Sequence, residues 1–206
     1  LVINLPGSRG GVKDGLRVAS LDLDRNTRNL SNFLTLRRAS RLESPDHVML
    51  MDMEQDARTN AKPKHSGRLE PLIRMAKMDG YDLLVIDTSS GSLADVYEAH
   101  LLADVILNPS ASHFAFGKIE IRKQFVQEGS RAFGVTYIYS NLVGNESGRA
   151  IYDGGALIAS AGKLVAAGPR FTFKEVSVSS AVVDLDATRM NQARTGSFNP
   201  RVSQSS

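Results

Sequence analysis

Cysteine and tryptophan are both absent from the 206-residue chain. Without a thiol there is no disulfide, no thiolate metal site and no cysteine nucleophile. That absence suits a reducing compartment, and a cytoplasmic location is expected. Histidine is scarce: His47, His65, His100 and His113 are scattered, with no pair at metal-ligand spacing, so no metal site is expected. Charge is nearly balanced, 25 Lys and Arg against 22 Asp and Glu, so a general polyanion-binding role is not demanded. No apolar run approaches the roughly 20 residues that span a bilayer, and no membrane partner is expected. The N-terminus lacks the basic, apolar, small-residue order of a secretory signal. It opens on the strand-like Leu1–Leu5 without Met, which reads as a trimmed or partial chain.

What is present is enough apolar material, 42% of the residues, for a real core. The length suits one ordinary domain or two small ones. Strand-like runs are expected at 1–5, 16–24, 47–51, 82–87, 104–108 and 135–141. Helix-like patterns are expected at 26–41, 66–78, 92–102 and 119–133, with Ser66 as a cap. Residues 52–65 read as a loop, and 155–168 as a hairpin turning at Ser160-Ala161-Gly162. A final strand is expected over 177–186, then a loose polar tail from 191. Alternating strands and helices mean an α/β fold with a mostly parallel sheet and flanking helices. The hairpin adds antiparallel strands to the second half. Ligands in such folds sit at the C-terminal ends of strands.

In the first half, a strand runs into "GSRGGVKDG", a second ends "LDLD" and a third ends "VIDTSSG". A phosphate loop needs glycines that turn backbone N–H groups inward and a lysine that reaches the terminal phosphates. Gly10, Gly11 and Lys13 are candidates for that role, and the strand-end acids Asp24 and Asp87 for Mg²⁺ or water. Together with "RVASLDLDRNTRNLSNFLTLRRA" and "YDLLVIDTSSGSLADVYEAHLLAD", these residues resemble the ParA/MinD family of ATPases, its MipZ branch above all, over residues 1–104. The resemblance implies ATP and Mg²⁺ as ligands and a dimeric switch acting on DNA or a partner protein. The loop departs from the family's Lys-Gly-Gly-x-Gly-Lys-Ser/Thr: one glycine is missing, and Asp14 stands in the Ser/Thr place. Only Asp14-Gly15 separates Lys13 from the next strand, so the helix whose N-terminus would hold phosphate is absent. On these residues alone the stretch also reads as a plain Gly-rich turn. Arg25, Arg28, Arg37, Arg38 and Arg41 form a basic stripe that could meet DNA phosphates or an acidic protein, or simply be a solvated helix face.

The second half has a different likeness. "ADVILNPSASHFAFGKIEIRKQFVQEGSRAFGVTYIYSNLVGNESGRAIYDGGALIASAGKLVAAGPRF" and "AVVDLDATRMNQARTGSF" resemble the glutaminase domain of glutamine-dependent NAD synthetases, a nitrilase-fold amidase. The resemblance implies a Cys nucleophile, a Glu base and a supporting Lys. Asp87 and Thr88 fall where that Cys is expected, and neither replaces a thiolate. Ser110, Ser112, Phe114 and Arg122 are expected remnants of the amidase pocket, against turn and capping chemistry as the alternative. "NLVGNE" and "YDGG" are expected as loops near it, and Glu120 and Glu128 as surface charges.

The expected organisation is an ATPase-like half (1–104), a nitrilase-like half (105–190) and a flexible tail (191–206), on a sheet that could be continuous. The expected function is an incomplete carbon–nitrogen hydrolase without amidase activity. The alternatives are a nucleotide-binding switch with a degraded phosphate loop, or a chimeric or designed scaffold without catalysis. Half of a two-sheet core would leave an apolar face bare, so a homodimer is expected.

Overall fold

The computed structural model describes residues 17–23, 28–42, 46–49, 69–88 and 93–197. The expected first strand, the Gly-rich loop, the 52–65 loop and Ser66 lie outside them. The chain divides into two compact units, Leu1–Leu102 and Ala103–Ser206.

In the first unit, β1 (Val18–Asp22) is the middle of a three-stranded parallel sheet, between β2 (Asp46–Met49) and β3 (Leu83–Asp87). The register sets Ala19 beside Asp46 and Val18 beside Leu83, and ends with Asp22 beside Asp87. The helices are α1 (Asn29–Ala39), α2 (Leu69–Met78) and α3 (Leu93–Leu102). Leu21, Leu23, Leu69 and Ala99 form the core, with Leu72, Ile73, Leu84 and Ile86 packed against it. The N-terminal N–H groups of a helix have no partner within it. For α2 one of them is met from a neighbouring helix: Glu98 of α3 accepts from the Leu69 N–H at 2.9 Å. The β-strand and helix positions expected from the pattern are thus met within a residue or three at each end.

In the second unit, β4 (Val105–Ser110), β5 (Thr136–Asn141), β8 (Ala156–Ser160) and β9 (Lys163–Ala167) form one sheet in that order. β4 and β5 are parallel; β5 with β8, and β8 with β9, are antiparallel. The protein is therefore mixed α/β, with both strand senses. Helix α4 (Lys118–Phe133) covers one face. Side chains alternate along a strand, so Tyr137 and Tyr139 share a face, as do Leu157 and Ala159. These four join Ile106, Val126 and Val135 in a buried cluster. The helix comes close enough because Gly129 has no side chain: a Cβ there would sit 3.0 Å from the Tyr137 ring. α4 stops at Gly134, whose φ of 62° is left-handed and suits glycine. The Val135 N–H then closes back on the Ser130 carbonyl at 3.0 Å.

Three expectations are corrected. "NLVGNE" and "YDGG" are not loops: β6 (Val143–Glu146) and β7 (Ala150–Asp153) pair as an antiparallel hairpin. Asn108-Pro109 does not end β4, which runs on to Ser110 with Pro109 opposite Ser140. β4 is an edge strand, where proline's missing N–H is tolerated. The strand expected at 177–186 does not form. Instead Asp184 caps a helix, α5 (Leu185–Ser197), accepting from the N–H groups of Asp186 and Ala187 at 3.0 Å each. Residues 191–197 of the expected tail are the end of that helix. Glu120 and Glu128 are surface charges, as expected, paired at 2.8 and 2.7 Å with Lys123 and Arg131.

Leu157 is 3% exposed at the centre of this cluster. Leu157→Ala should cost about 2–5 kcal/mol, read as an earlier urea-unfolding transition by circular dichroism.

Candidate functional site

In the first unit the strand ends place two carboxylates side by side. Asp22 and Asp87 are register partners at the C-terminal ends of β1 and β3, and the Leu23 N–H donates to the Asp87 carbonyl at 2.9 Å. Asp22 is only 2% exposed. Its Oδ2 accepts from the Ser31 hydroxyl at 2.6 Å and the Ser31 N–H at 2.9 Å. The reason is local. Arg28, the residue before α1, has a left-handed φ of 50° and makes no side-chain cap bond. The neighbouring strand supplies the missing cap, as a carboxylate at the positive end of the helix. Asp87 is half-buried and Thr88 follows it. Gly10, Gly11, Lys13, Asp24 and Arg25 lie outside the described residues. Of the basic stripe, Arg28, Arg38 and Arg41 are exposed, and Arg37 lies 5.7 Å from the Phe33 ring centroid.

The second unit holds a buried polar centre. Arg122, on the second turn of α4, is 6% exposed, and Asp153, the last residue of β7, is 1% exposed. Nη1 of Arg122 donates to both carboxylate oxygens of Asp153 at 2.8 Å. Nη2 donates to the Ser112 carbonyl at 2.8 Å, the Ser112 hydroxyl at 3.2 Å and the His113 carbonyl at 3.1 Å. Asn141, the last residue of β5, bridges the same groups. It accepts from the Ser112 N–H at 2.8 Å and donates to the Ser112 carbonyl at 3.0 Å and Asp153 at 3.2 Å. Arg170 donates through Nε to the other Asp153 oxygen at 2.7 Å. Burial alone would raise the Asp153 pKa, but the hydrogen bonds from Arg122 and Arg170 outweigh it and hold the carboxyl below its ordinary value. Phe114 makes edge-on ring contacts with Phe116 and Phe171, and Arg170 lies 4.9 Å from the Phe171 centroid. Beside this centre is a cavity of about 330 Å³, lined by Arg122, Arg170, Tyr139, Leu157 and Gly155 among others.

The structure thus brings two of the four expected pocket remnants into contact, Ser112 and Arg122, while Phe114 packs on Phe116 and Phe171. Ser110 contributes its backbone, its carbonyl accepting from the Leu142 N–H at 2.8 Å. Sequence reasoning set the segments that hold Asn141 and Asp153 near the pocket without singling out their side chains, and it missed Arg170. The available signal was a lone acid in "IYDGG" and a lone amide ending an apolar strand. Among the described residues, no group of three His, Asp or Glu is placed to hold a metal ion. Nor is any helix there long and apolar enough to cross a membrane.

Comparison with known proteins gives two kinds of match. The family model "ATPase MipZ" matches residues 10–130, more than half of the chain. A glutamine-dependent NAD(+) synthetase of Oryza sativa subsp. indica is 38% identical over 100 residues, 48% of this chain and 14% of that protein. Among solved structures, a glutamine-dependent NAD(+) synthetase from Cytophaga hutchinsonii is 58% identical over 35% of this chain and 12% of that one, with a TM-score of 0.34. A carbon–nitrogen hydrolase from Helicobacter pylori G27 is 17% identical over 52% of this chain and 41% of that one, with a TM-score of 0.39. The chain spans about one-seventh of the length of the curated relative. The composite resemblance is therefore present: an ATPase-family match that begins in the first unit and reaches residue 130, and a region similar to NAD synthetases.

Asp153→Asn removes the charge shared by two guanidiniums and should cost about 3–5 kcal/mol at neutral pH. Because the folded carboxyl has a lowered pKa, its contribution is complete above the ordinary carboxylate range and is lost as pH falls through the lowered value. Thermal unfolding between pH 7 and pH 2 should show a shallower acid loss in the variant than in the parent chain.

Proposed function

The chain belongs to the MipZ family of ATPases, and from that premise we propose that it is a composite whose two ancestral reaction centres are both incomplete. Its second unit is of carbon–nitrogen hydrolase lineage, in the glutaminase region of NAD synthetases, and it does not hydrolyse amides. The observation that carries this reading is the absence of any cysteine from the chain. A thiolate attacks a carboxamide because it is a strong nucleophile near neutral pH. A threonine hydroxyl needs a base beside it, and a carboxylate at Asp87 would repel the developing oxyanion. The polar side chains near Ser112 support the same reading, since Arg122, Asn141 and Asp153 are bound to one another.

A second reading is favoured by the adjacent strand-end carboxylates of Asp22 and Asp87. On it, the first unit is a nucleotide-responsive switch with a weakened phosphate loop, using Gly10, Gly11, Lys13, Asp24 and Asp87 toward ATP and Mg²⁺. Asp22 is already the cap of α1, which leaves Asp87 as the described strand-end acid for that role.

Incubation of the purified chain with glutamine should release no ammonia above a protein-free blank; turnover that scales with protein concentration would overturn the first reading. Calorimetric titration with ATP and Mg²⁺ tests the second. Saturable binding abolished by Lys13→Ala is expected, and no heat at millimolar ATP removes that reading.

A further inference from the structure

The buried centre of the second unit carries an imbalance. Two guanidiniums, Arg122 and Arg170, are paired with the single carboxylate of Asp153. One positive charge is left over. Lys123 does not contribute to the surplus, because Glu120 neutralises it at 2.8 Å. The hydrogen-bond inventory is unfinished on the same side chains. Nε of Arg122 is buried with no partner. Arg170 engages Asp153 through Nε, and its two Nη groups make no hydrogen bond among the described residues. A buried charged donor left unpaired is costly, whereas the Arg170 Nη groups belong to a side chain 26% exposed and are open to a partner from solution.

Both arginines line the 330 Å³ cavity. That volume is at the small end of ligand pockets, which run from roughly 300 to 1,000 Å³. Its other walls are mixed: Ile119, Ala156, Leu157 and Ala167 are apolar, and Tyr139 and the Glu120–Lys123 pair line it as well. A planar anion of single charge matches guanidinium donors. An apolar body behind it matches the apolar residues of the wall.

We propose that this cleft binds a small aliphatic monocarboxylate, its head group on the Nη groups of Arg170 and its chain against Ile119 and Leu157. At about pH 8, where the titration is run and inorganic phosphate is mostly a dianion, a single surplus charge favours a planar monoanion over it. The proposal holds whichever ancestry governs the chain, because it needs neither a nucleophile nor a nucleotide.

The test is calorimetric titration of the full chain with sodium butyrate, butyramide and inorganic phosphate. Saturable binding of butyrate, with butyramide and phosphate silent, is expected. Two variants keep the test independent of folding failure. Arg170→Gln removes charge from a partly exposed side chain and leaves Arg122 paired with Asp153. Ala167→Leu narrows the cleft from an exposed strand position and leaves the charges intact. Each should weaken butyrate binding by about tenfold or more, with an unchanged circular dichroism spectrum. Butyramide or phosphate binding as tightly as butyrate would overturn the proposal. So would the absence of saturation, or full butyrate affinity in both variants.

Discussion

Asp153 is the point on which the second unit closes. An ion pair taken out of water is costly unless every donor and acceptor is met. Here the carboxylate receives bonds from α4 through Arg122, from the segment after β9 through Arg170 and from the end of β5 through Asn141. Arg122 in turn holds the segment after β4 by the Ser112 and His113 carbonyls. The β6–β7 hairpin is placed by the same centre, with the Gly154 N–H on Leu142 and the Phe171 N–H on the Asp153 carbonyl. Apolar burial under α4 makes the sheet a core, and this one carboxylate decides where the connections lie.

The first unit uses the same device on a smaller scale. Asp22 stands at a strand end, the position from which acids in α/β folds usually meet ligands. Its carboxylate is turned to the N–H of Ser31 at the start of α1, which has no partner within the helix. In both units, described groups that look chemical by type and position are drawn into the architecture: Asp22 caps α1, and Arg122, Asn141 and Asp153 bind one another.

The regular elements were legible because their signals are local. "DLLVID" reads as a strand by its apolar run Leu83–Ile86, of which only Leu83 is fully buried, and Gly134 ends α4 because its left-handed conformation suits glycine. The hairpin at Ser160-Ala161-Gly162 followed from two apolar runs and a turn between them. The errors have a common physical origin. "AVVDLD" has the composition of a strand, but Asp184 satisfies helix N–H groups two and three residues on, so the chain turns into α5. "NLVGNE" and "YDGG" carry turn residues, and only pairing with each other makes them strands.

By itself, the sequence determined the α/β alternation, the exclusion of thiol chemistry and the double resemblance, because these depend on residue type and order along the chain. The tertiary structure alone decided which polar residues meet. Arg122 and Asp153 are 31 positions apart, and Asp22 reaches Ser31 across a strand-to-helix connection. Such partners are chosen by where the strand ends converge and by the cost of burying an unpaired charge, and neither is written in local pattern.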